Sequence, residues 1–148
     1  MELSSRKRKR HQPTQRRYFT LAQARSALVL VSRIATDIQK VEQHRRELVE
    51  KSRKDDLNQA QPQEIHNIEH AFESLTEQMA KLVEELADIG VELKDPGRGL
   101  VDFPAKFDGR DIELCWQIGE PTIGYWHEIN AGFAGRRNVA ELEPVETH

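Results

Sequence analysis

The chain has 148 residues, of which 32% are charged and 6% aromatic, and its formal net charge is −3 at pH 7. This length suits one domain with appendages. No run approaches the roughly 18 apolar residues of a membrane span, and no apolar secretory leader is evident, so we expect a cytoplasmic protein with no membrane contact. A single cysteine, Cys115, excludes an internal disulfide framework.

The charge is distributed unevenly along the chain. Residues 1–17 hold seven Lys and Arg against Glu2, whereas the remainder holds fifteen Lys and Arg against twenty-four Asp and Glu. We predict that residues 1–17 are a disordered basic tail, which either makes weak contact with nucleic acid or another polyanion or only aids solubility. Residues 139–148 are predicted to be an acidic, flexible C-terminal tail.

A first long helix is predicted from Thr20 to about Arg53. Thr20 and Gln23 fit a capping box, in which each side chain accepts a hydrogen bond from the other residue's backbone N–H. No Gly or Pro interrupts the helix, and its apolar residues recur at intervals of three and four. Between Ala27 and Val31 (ALVLV) the apolar surface widens, so we expect cover on more than one side there.

A second helix is predicted from Pro62 to about Ile89. Its apolar residues occupy the a and d positions of a heptad repeat: Ile65, Ile68, Phe72, Leu75, Met79, Leu82, Leu86 and Ile89. Gly90 suits a left-handed cap at the helix end. We expect the two helices, about residues 20–89, to form a long antiparallel, coiled-coil-like hairpin. Its narrow seam leaves much surface exposed, which favours a homo-oligomer joined through the helices.

A tight β-hairpin is predicted around Asp108–Gly109. Two-residue type I′ turns need positive φ at both central positions, and Asp-Gly is one of the dipeptides preferred there for that reason. Counting outwards pairs Phe103 with Leu114 on an apolar face and Asp102 with Cys115 on the other face, which we expect to be exposed. Val91–Lys94 and Thr122–Ile129 are candidates for further strands. The predicted fold class is therefore α+β, with the helical hairpin followed by a three- to four-stranded antiparallel sheet. The folded domain would span residues 18–138, with the β part at about 91–138.

The polar face of the hairpin is the first candidate site. Asp102, Cys115, His127 and Glu128 would supply two carboxylates, a thiol and an imidazole, as in a metal- or thiol-dependent enzyme. Their spacing matches no standard motif, so we assign no metal, and the cofactor stays open. The same region would also suit a ligand cleft, whose remaining lining residues would be Trp116, Glu120, Trp126 and Arg136. A structural role, with the thiol buried as a small apolar group, is the simplest interpretation.

Two further patterns carry less chemical information. His66 and His70 fit an H-x-x-E-H arrangement, but they fall at outer heptad positions and no third metal ligand follows. The stretch Gly132–Arg137 combines glycines with two arginines, which suits a loop that binds phosphate or carboxylate, or one whose arginines pair with the acidic second helix.

Several short motifs resemble one family. They are Tyr18-Phe19-Thr20-Leu21, Ile89-Gly90-Val91-Glu92-Leu93-Lys94-Asp95, Gly99-Leu100-Val101-Asp102-Phe103-Pro104, Leu114-Cys115-Trp116, Gly119-Glu120-Pro121, Tyr125-Trp126-His127-Glu128 and Gly132-Phe133-Ala134-Gly135-Arg136. Over about residues 18–138 the chain resembles the prokaryotic family called "domain of unknown function 2203". That resemblance implies a bacterial or archaeal protein and supplies no activity, cofactor or substrate.

The leading hypothesis is a non-enzymatic binding or scaffold protein whose β end recognises a ligand or a protein partner. The main alternative is the metal- or thiol-dependent enzyme built on Asp102, Cys115, His127 and Glu128. A third possibility is nucleic-acid binding through residues 1–17. No assembled catalytic motif is present, which disfavours an enzyme without deciding the question.

Overall fold

A computed structural model describes residues 17–54 and 58–142. Helices α1 (Leu21–Lys54) and α2 (Pro62–Ile89) precede an antiparallel sheet, which confirms the predicted α+β class. The strands, in spatial and chain order, are β1 (Glu92–Asp95), β2 (Leu100–Phe107), β3 (Arg110–Trp116), β4 (Tyr125–Glu128) and β5 (Arg137–Asn138).

The sheet has five strands rather than the predicted three to four. Strand β5 contains only Arg137 and Asn138, which pair with β4. Two polar residues are too short a run to show the alternation of apolar and polar side chains that identifies a strand in a sequence. The extra strand therefore depends on tertiary pairing and not on a local pattern.

The ends of the helices follow the predicted capping chemistry. The Thr20 backbone N–H donates to the Gln23 side chain (2.9 Å), and the Gln23 N–H donates to the Thr20 hydroxyl (3.0 Å). At the end of α2, Gly90 has φ 99° and donates its N–H to the carbonyls of Leu86 and Ala87. A Cβ is disfavoured at such a φ, so glycine allows the chain to turn directly into the sheet.

One face of the sheet packs against the base of the helical hairpin. Val31 and Ile38 of α1, Leu86 of α2 and Phe103 and Leu114 of the sheet lie in the same buried cluster. The heptad residues of α2 that precede Leu86 in the chain are half-buried, and they lie along the side of α2 that packs against α1. The main apolar core therefore lies where helices and sheet meet, and the outer part of the hairpin is more open.

The expectation that ALVLV is covered on more than one side is wrong. Val31 is fully buried, but Val29 and Leu30 are 63% and 51% exposed. α2 and the sheet pack against the stripe of α1 that contains Val31, so the opposite side of the same turn faces solvent. This leaves an exposed apolar pair on α1.

The central hairpin has the predicted register at every pair from Val101–Trp116 to Phe107–Arg110. The turn residues Asp108 and Gly109 have φ values of 55° and 81°, as a type I′ turn requires. The apolar members of these pairs face the core, and Asp102 lies opposite Cys115 on the other face.

The prediction that this second face is exposed is wrong. Asp102, Glu113, Cys115 and His127 are each at most 5% exposed. Strands β2, β3 and β4 each have a neighbour on both sides in the sheet, and the Arg136 side chain reaches β3, where it donates to the Cys115 carbonyl. The polar face is therefore a second, smaller interior.

Both ends of the folded region are tied to the sheet. The Phe19 N–H donates to the Pro104 carbonyl (2.8 Å), and the Phe19 and Phe103 rings pack edge to face. A 3-10 helix at Val139–Leu142 buries its first and last side chains, so the folded domain continues four residues beyond 138. The rest of both predicted tails, residues 1–16 and 143–148, lies outside the described residues. No helix in the described ranges is long and apolar enough to cross a membrane.

Leu86→Ala tests whether the helices depend on the sheet. Leu86 is fully buried in the shared core, whereas Leu75 is half-buried higher on α2. We expect Leu86→Ala to lower the free energy of unfolding by about 2–5 kcal/mol and Leu75→Ala to cost less, because the cost follows the cavity left behind. Urea unfolding followed by circular dichroism measures both, and equal losses would contradict the assignment of the core.

Candidate functional site

Three reactive side chains meet on the buried polar face of the sheet. Asp102 on β2 lies directly opposite Cys115 on β3, and His127 on β4 lies opposite Glu113, two residues before Cys115. One potential metal-ligating atom from each of Asp102, Cys115 and His127 lies within 4.8 Å of the others. The three residues are at most 2% exposed. We call Asp102, Cys115 and His127 the buried triad.

Both ring nitrogens of His127 are engaged in hydrogen bonds. Nδ1 lies 2.7 Å from the Glu128 carbonyl oxygen and Nε2 lies 3.0 Å from Asp102 Oδ2. The carbonyl has no proton to give, so Nδ1 carries a hydrogen and donates. An ionised carboxylate can only accept a hydrogen bond. When Nε2 bonds directly to Asp102, Nε2 therefore carries a hydrogen too.

The electrostatics favour this imidazolium form. The Asp102 carboxylate, followed by the Cys115 side chain, raises the pKa of His127 to about 10, although burial opposes the shift. At neutral pH His127 is therefore a cation that faces a carboxylate inside the protein. Removing one partner of such a pair strongly destabilises the folded protein, because the other charge is left buried and unpaired.

The Asp102 carboxylate is only partly satisfied. Its Oδ2 bonds to His127, but its Oδ1 is buried without a hydrogen-bond partner among the described residues. Glu113 lies on the same face and is 5% exposed. Buried oxygens without a partner are rare in native proteins and indicate a missing group such as a water or an ion.

Arg136 connects the buried triad to the surface. Its guanidinium donates two hydrogen bonds to Glu120 (2.6 and 2.7 Å) and a third to the Cys115 carbonyl (3.2 Å). Burial alone would raise the pKa of Glu120, but hydrogen bonds from Arg136 and from the Gln117 N–H hold that pKa below its ordinary value. Glu120 thus stays ionised and fixes the position of Arg136.

Above this ion pair, arginines and aromatic rings alternate. The Arg136 guanidinium lies 4.2 Å from the centre of the Tyr125 ring and 4.8 Å from that of Phe133, and the Arg98 guanidinium lies 4.4 Å from the centre of the Phe133 ring. We call Arg98, Phe133, Arg136 and Tyr125 the arginine–aromatic ladder. The sequence had indicated only Arg136. The glycine-spaced loop that carries Phe133 was the available signal, whereas Arg98 comes from the β1–β2 turn and had none.

The remaining predicted site residues do not join the buried triad. Trp116 donates its indole N–H to the Glu120 carbonyl, and Trp126 pairs with Leu114 on the core face. The Glu128 side chain is bound by Arg110, and only its carbonyl reaches His127. The two tryptophans therefore line no cleft with the triad.

The histidine pair of α2 likewise stays apart. His66 and His70 are exposed, with their ring centres 6.3 Å apart, and they belong to no three-ligand group in residues 17–54 and 58–142. Their exposure agrees with the outer heptad positions assigned to them from the sequence.

Asp102→Asn removes the charge of the carboxylate at almost constant shape. We expect the pKa of His127 to fall from about 10 towards 6.5 and the free energy of unfolding to drop by about 3–5 kcal/mol at pH 7. In the unmodified protein this stabilisation is fully present below pH 6.5 and disappears as the pH rises through 10.

NMR titration of the imidazole and urea unfolding at several pH values, both in metal-free protein, measure these effects. Asp111→Asn, which alters an ion pair with Lys106 at the surface, is the control and should cost no more than about 1 kcal/mol. An unchanged His127 pKa in Asp102→Asn would contradict the imidazolium–carboxylate pair.

Comparison with known proteins agrees with the resemblance seen in the motifs. No curated protein and no solved structure shows significant similarity to the sequence. A family model described as "Uncharacterized conserved protein (DUF2203)" matches residues 17–139, which include both helices and all five strands. The chain therefore belongs to the DUF2203 family of uncharacterized conserved proteins.

Proposed function

We propose that this protein is a non-enzymatic binding protein that recognises a protein partner at its β end. The observation that carries the proposal is the arginine–aromatic ladder on the surface. Tyr125 and Phe133 are 39% and 36% exposed, and Ile129 in the same loop region is 43% exposed. Tyr and Arg are the residue types that dominate binding energy at protein interfaces.

The ladder is held in place before any partner arrives. The bidentate bond from Glu120 fixes Arg136, and Arg136 in turn fixes the Tyr125 and Phe133 rings by stacking. A pre-organised surface loses less side-chain entropy when it binds. Arg98 is exposed at one end of the ladder, so the partner segment carries a carboxylate beside an apolar side chain.

Burial weighs against the alternative of a thiol-dependent enzyme built on Asp102, Cys115, His127 and Glu128. Cys115 is 1% exposed and His127 is 2% exposed, so no substrate reaches them without local opening. His127 directs its two nitrogens to Asp102 and to the Glu128 carbonyl. In the imidazolium form each nitrogen already carries a hydrogen, so His127 has no lone pair with which to take the proton of the Cys115 thiol.

Peptide selection tests the proposed recognition surface. Peptides selected from a random displayed library on the full chain should be enriched in Asp or Glu next to apolar residues. Their affinity, measured by calorimetry, should fall at least about tenfold in Phe133→Ser and in Arg98→Ala. Tyr18→Ser, which removes an exposed aromatic ring outside the ladder, is the matched control and should leave binding unchanged. Equal affinity for Phe133→Ser would overturn the proposal.

We further propose that two copies associate through the exposed side of α1. Val29 and Leu30 protrude from this helix. One to two turns earlier, Ala22, Ser26 and Ala27 help to line a shallow, open depression of the surface. In a two-fold dimer the same surface patch of each copy meets the other. Val29 and Leu30 of one copy can then lie against the depression of the other copy, and the reverse.

Leu30→Glu tests this association. A buried glutamate at the interface would be unpaired, so the variant should be monomeric at concentrations where the unmodified protein is dimeric. Sedimentation velocity measures the difference, and His70→Glu, at an exposed position on α2, is the control for added charge. A monomeric unmodified protein at high micromolar concentration would overturn the proposal.

The basic residues 6–10, 16 and 17 support a separate proposal of polyanion contact, since the rest of the chain is acidic. Deleting residues 1–16 should abolish retention of the protein by duplex DNA, and retention of the full chain should weaken steeply with salt. Filter binding at several salt concentrations measures this. Equal retention of the shortened chain would remove the tail as the contact.

A further inference from the structure

The buried triad has the composition of a transition-metal site. Asp102 offers a carboxylate oxygen, Cys115 a sulfur and His127 a nitrogen, and the three atoms lie within 4.8 Å of one another. In a tetrahedral zinc site with bonds of about 2.0–2.3 Å, ligand atoms lie about 3.3–3.8 Å apart. Ligand atoms further apart than this need to approach by at most about 1 Å, whereas His127 Nε2 and Asp102 Oδ2, at 3.0 Å, need to separate slightly.

The hydrogen bond from His127 to the Glu128 carbonyl orients the imidazole for such a site. Nδ1–H donates to this carbonyl at 2.7 Å, so Nε2 is the nitrogen directed towards Asp102. Metal-binding histidines commonly donate their other N–H to a backbone carbonyl or a carboxylate, which fixes the ring and its tautomer. The ring is thus already held as a ligand would be.

The unpartnered Asp102 Oδ1 is a second, independent indication. The Asp102 side chain is 2% exposed and sits in the triad, yet this oxygen accepts no hydrogen bond from any described residue. A buried carboxylate that lacks a full set of hydrogen-bond donors, and that lies beside a thiol and an imidazole, is satisfied by a cation bound among the three groups. A proton on Nε2 satisfies only the other oxygen.

We propose that Asp102, Cys115 and His127 bind one zinc-class divalent ion, which joins strands β2, β3 and β4 beneath the arginine–aromatic ladder. The mixed oxygen, sulfur and nitrogen donors suit Zn²⁺, and Co²⁺ as its spectroscopic substitute, and not Mg²⁺ or Ca²⁺, which prefer oxygen alone. Three protein ligands leave the fourth tetrahedral position to a solvent molecule.

Binding of the divalent ion would also leave the buried site without net charge. The ion replaces the thiol proton of Cys115 and the Nε2 proton of His127, and both protons leave to solvent. The resulting centre combines a divalent cation with one thiolate, one carboxylate and a neutral imidazole, so its net charge is zero. A neutral centre is the arrangement that a buried site tolerates best.

The role of the ion is structural. It lies away from substrates, since every ligand is at most 2% exposed. Arg136 donates to the backbone carbonyl of the ligand Cys115 and also carries the ladder, so the ion would stabilise the recognition surface from below. The site is independent of whether that surface binds a partner.

Titration of the metal-depleted full chain with Co²⁺ tests the site. We expect saturation at one equivalent, with the near-ultraviolet charge-transfer band of a thiolate–Co²⁺ bond and displacement by Zn²⁺. Cys115→Ser should abolish the band and weaken Zn²⁺ binding about 100-fold or more, with circular dichroism to verify the fold. His66→Ala/His70→Ala removes the exposed histidine pair and should leave both unchanged.

X-ray absorption at the zinc edge supplies a readout that needs no variant. The proposal requires one sulfur at about 2.3 Å together with nitrogen or oxygen at about 2.0–2.2 Å. A shell without sulfur, a Co²⁺ spectrum without the thiolate band, or loss of binding only in His66→Ala/His70→Ala would each overturn it.

Discussion

The pairing register of the β2–β3 hairpin determines which face of the sheet carries Asp102 and Cys115, on which the buried triad depends. The turn at Asp108–Gly109 sets this register, because both residues adopt the positive φ that a two-residue turn demands. In this register Asp102 faces Cys115 on the polar side, and Phe103 faces Leu114 on the core side. A shift of one residue would move the carboxylate and the thiol into the apolar core.

Local chemistry was sufficient to predict the elements and the central pairing. The capping residues, the heptads of α2, Gly90 and the Asp-Gly turn each act within a few residues, so they can be recognised in a single sequence. Counting outwards from that turn is enough to place Asp102 opposite Cys115. His127 was assigned correctly to a neighbouring strand, although its register could not be derived past Pro121.

The features that the sequence did not predict depend on which distant segments of the chain pack on a given surface. Arg136 contacts the Cys115 carbonyl from a distant part of the chain, and Val29 is exposed because nothing described packs on that side of α1. Arg98 meets Phe133 only through tertiary structure. Alternation and periodicity describe one element at a time, so they carry no information about such long-range contacts.

The backbone hydrogen bond from the Phe19 N–H to the Pro104 carbonyl has a consequence for folding during translation. Phe19 precedes both helices, yet its hydrogen-bond partner follows them. During synthesis the helices leave the ribosome before the strand that anchors their start exists. The apolar base of the hairpin must therefore stay uncovered until translation has passed the sheet, which makes the nascent helical pair a natural client for chaperones.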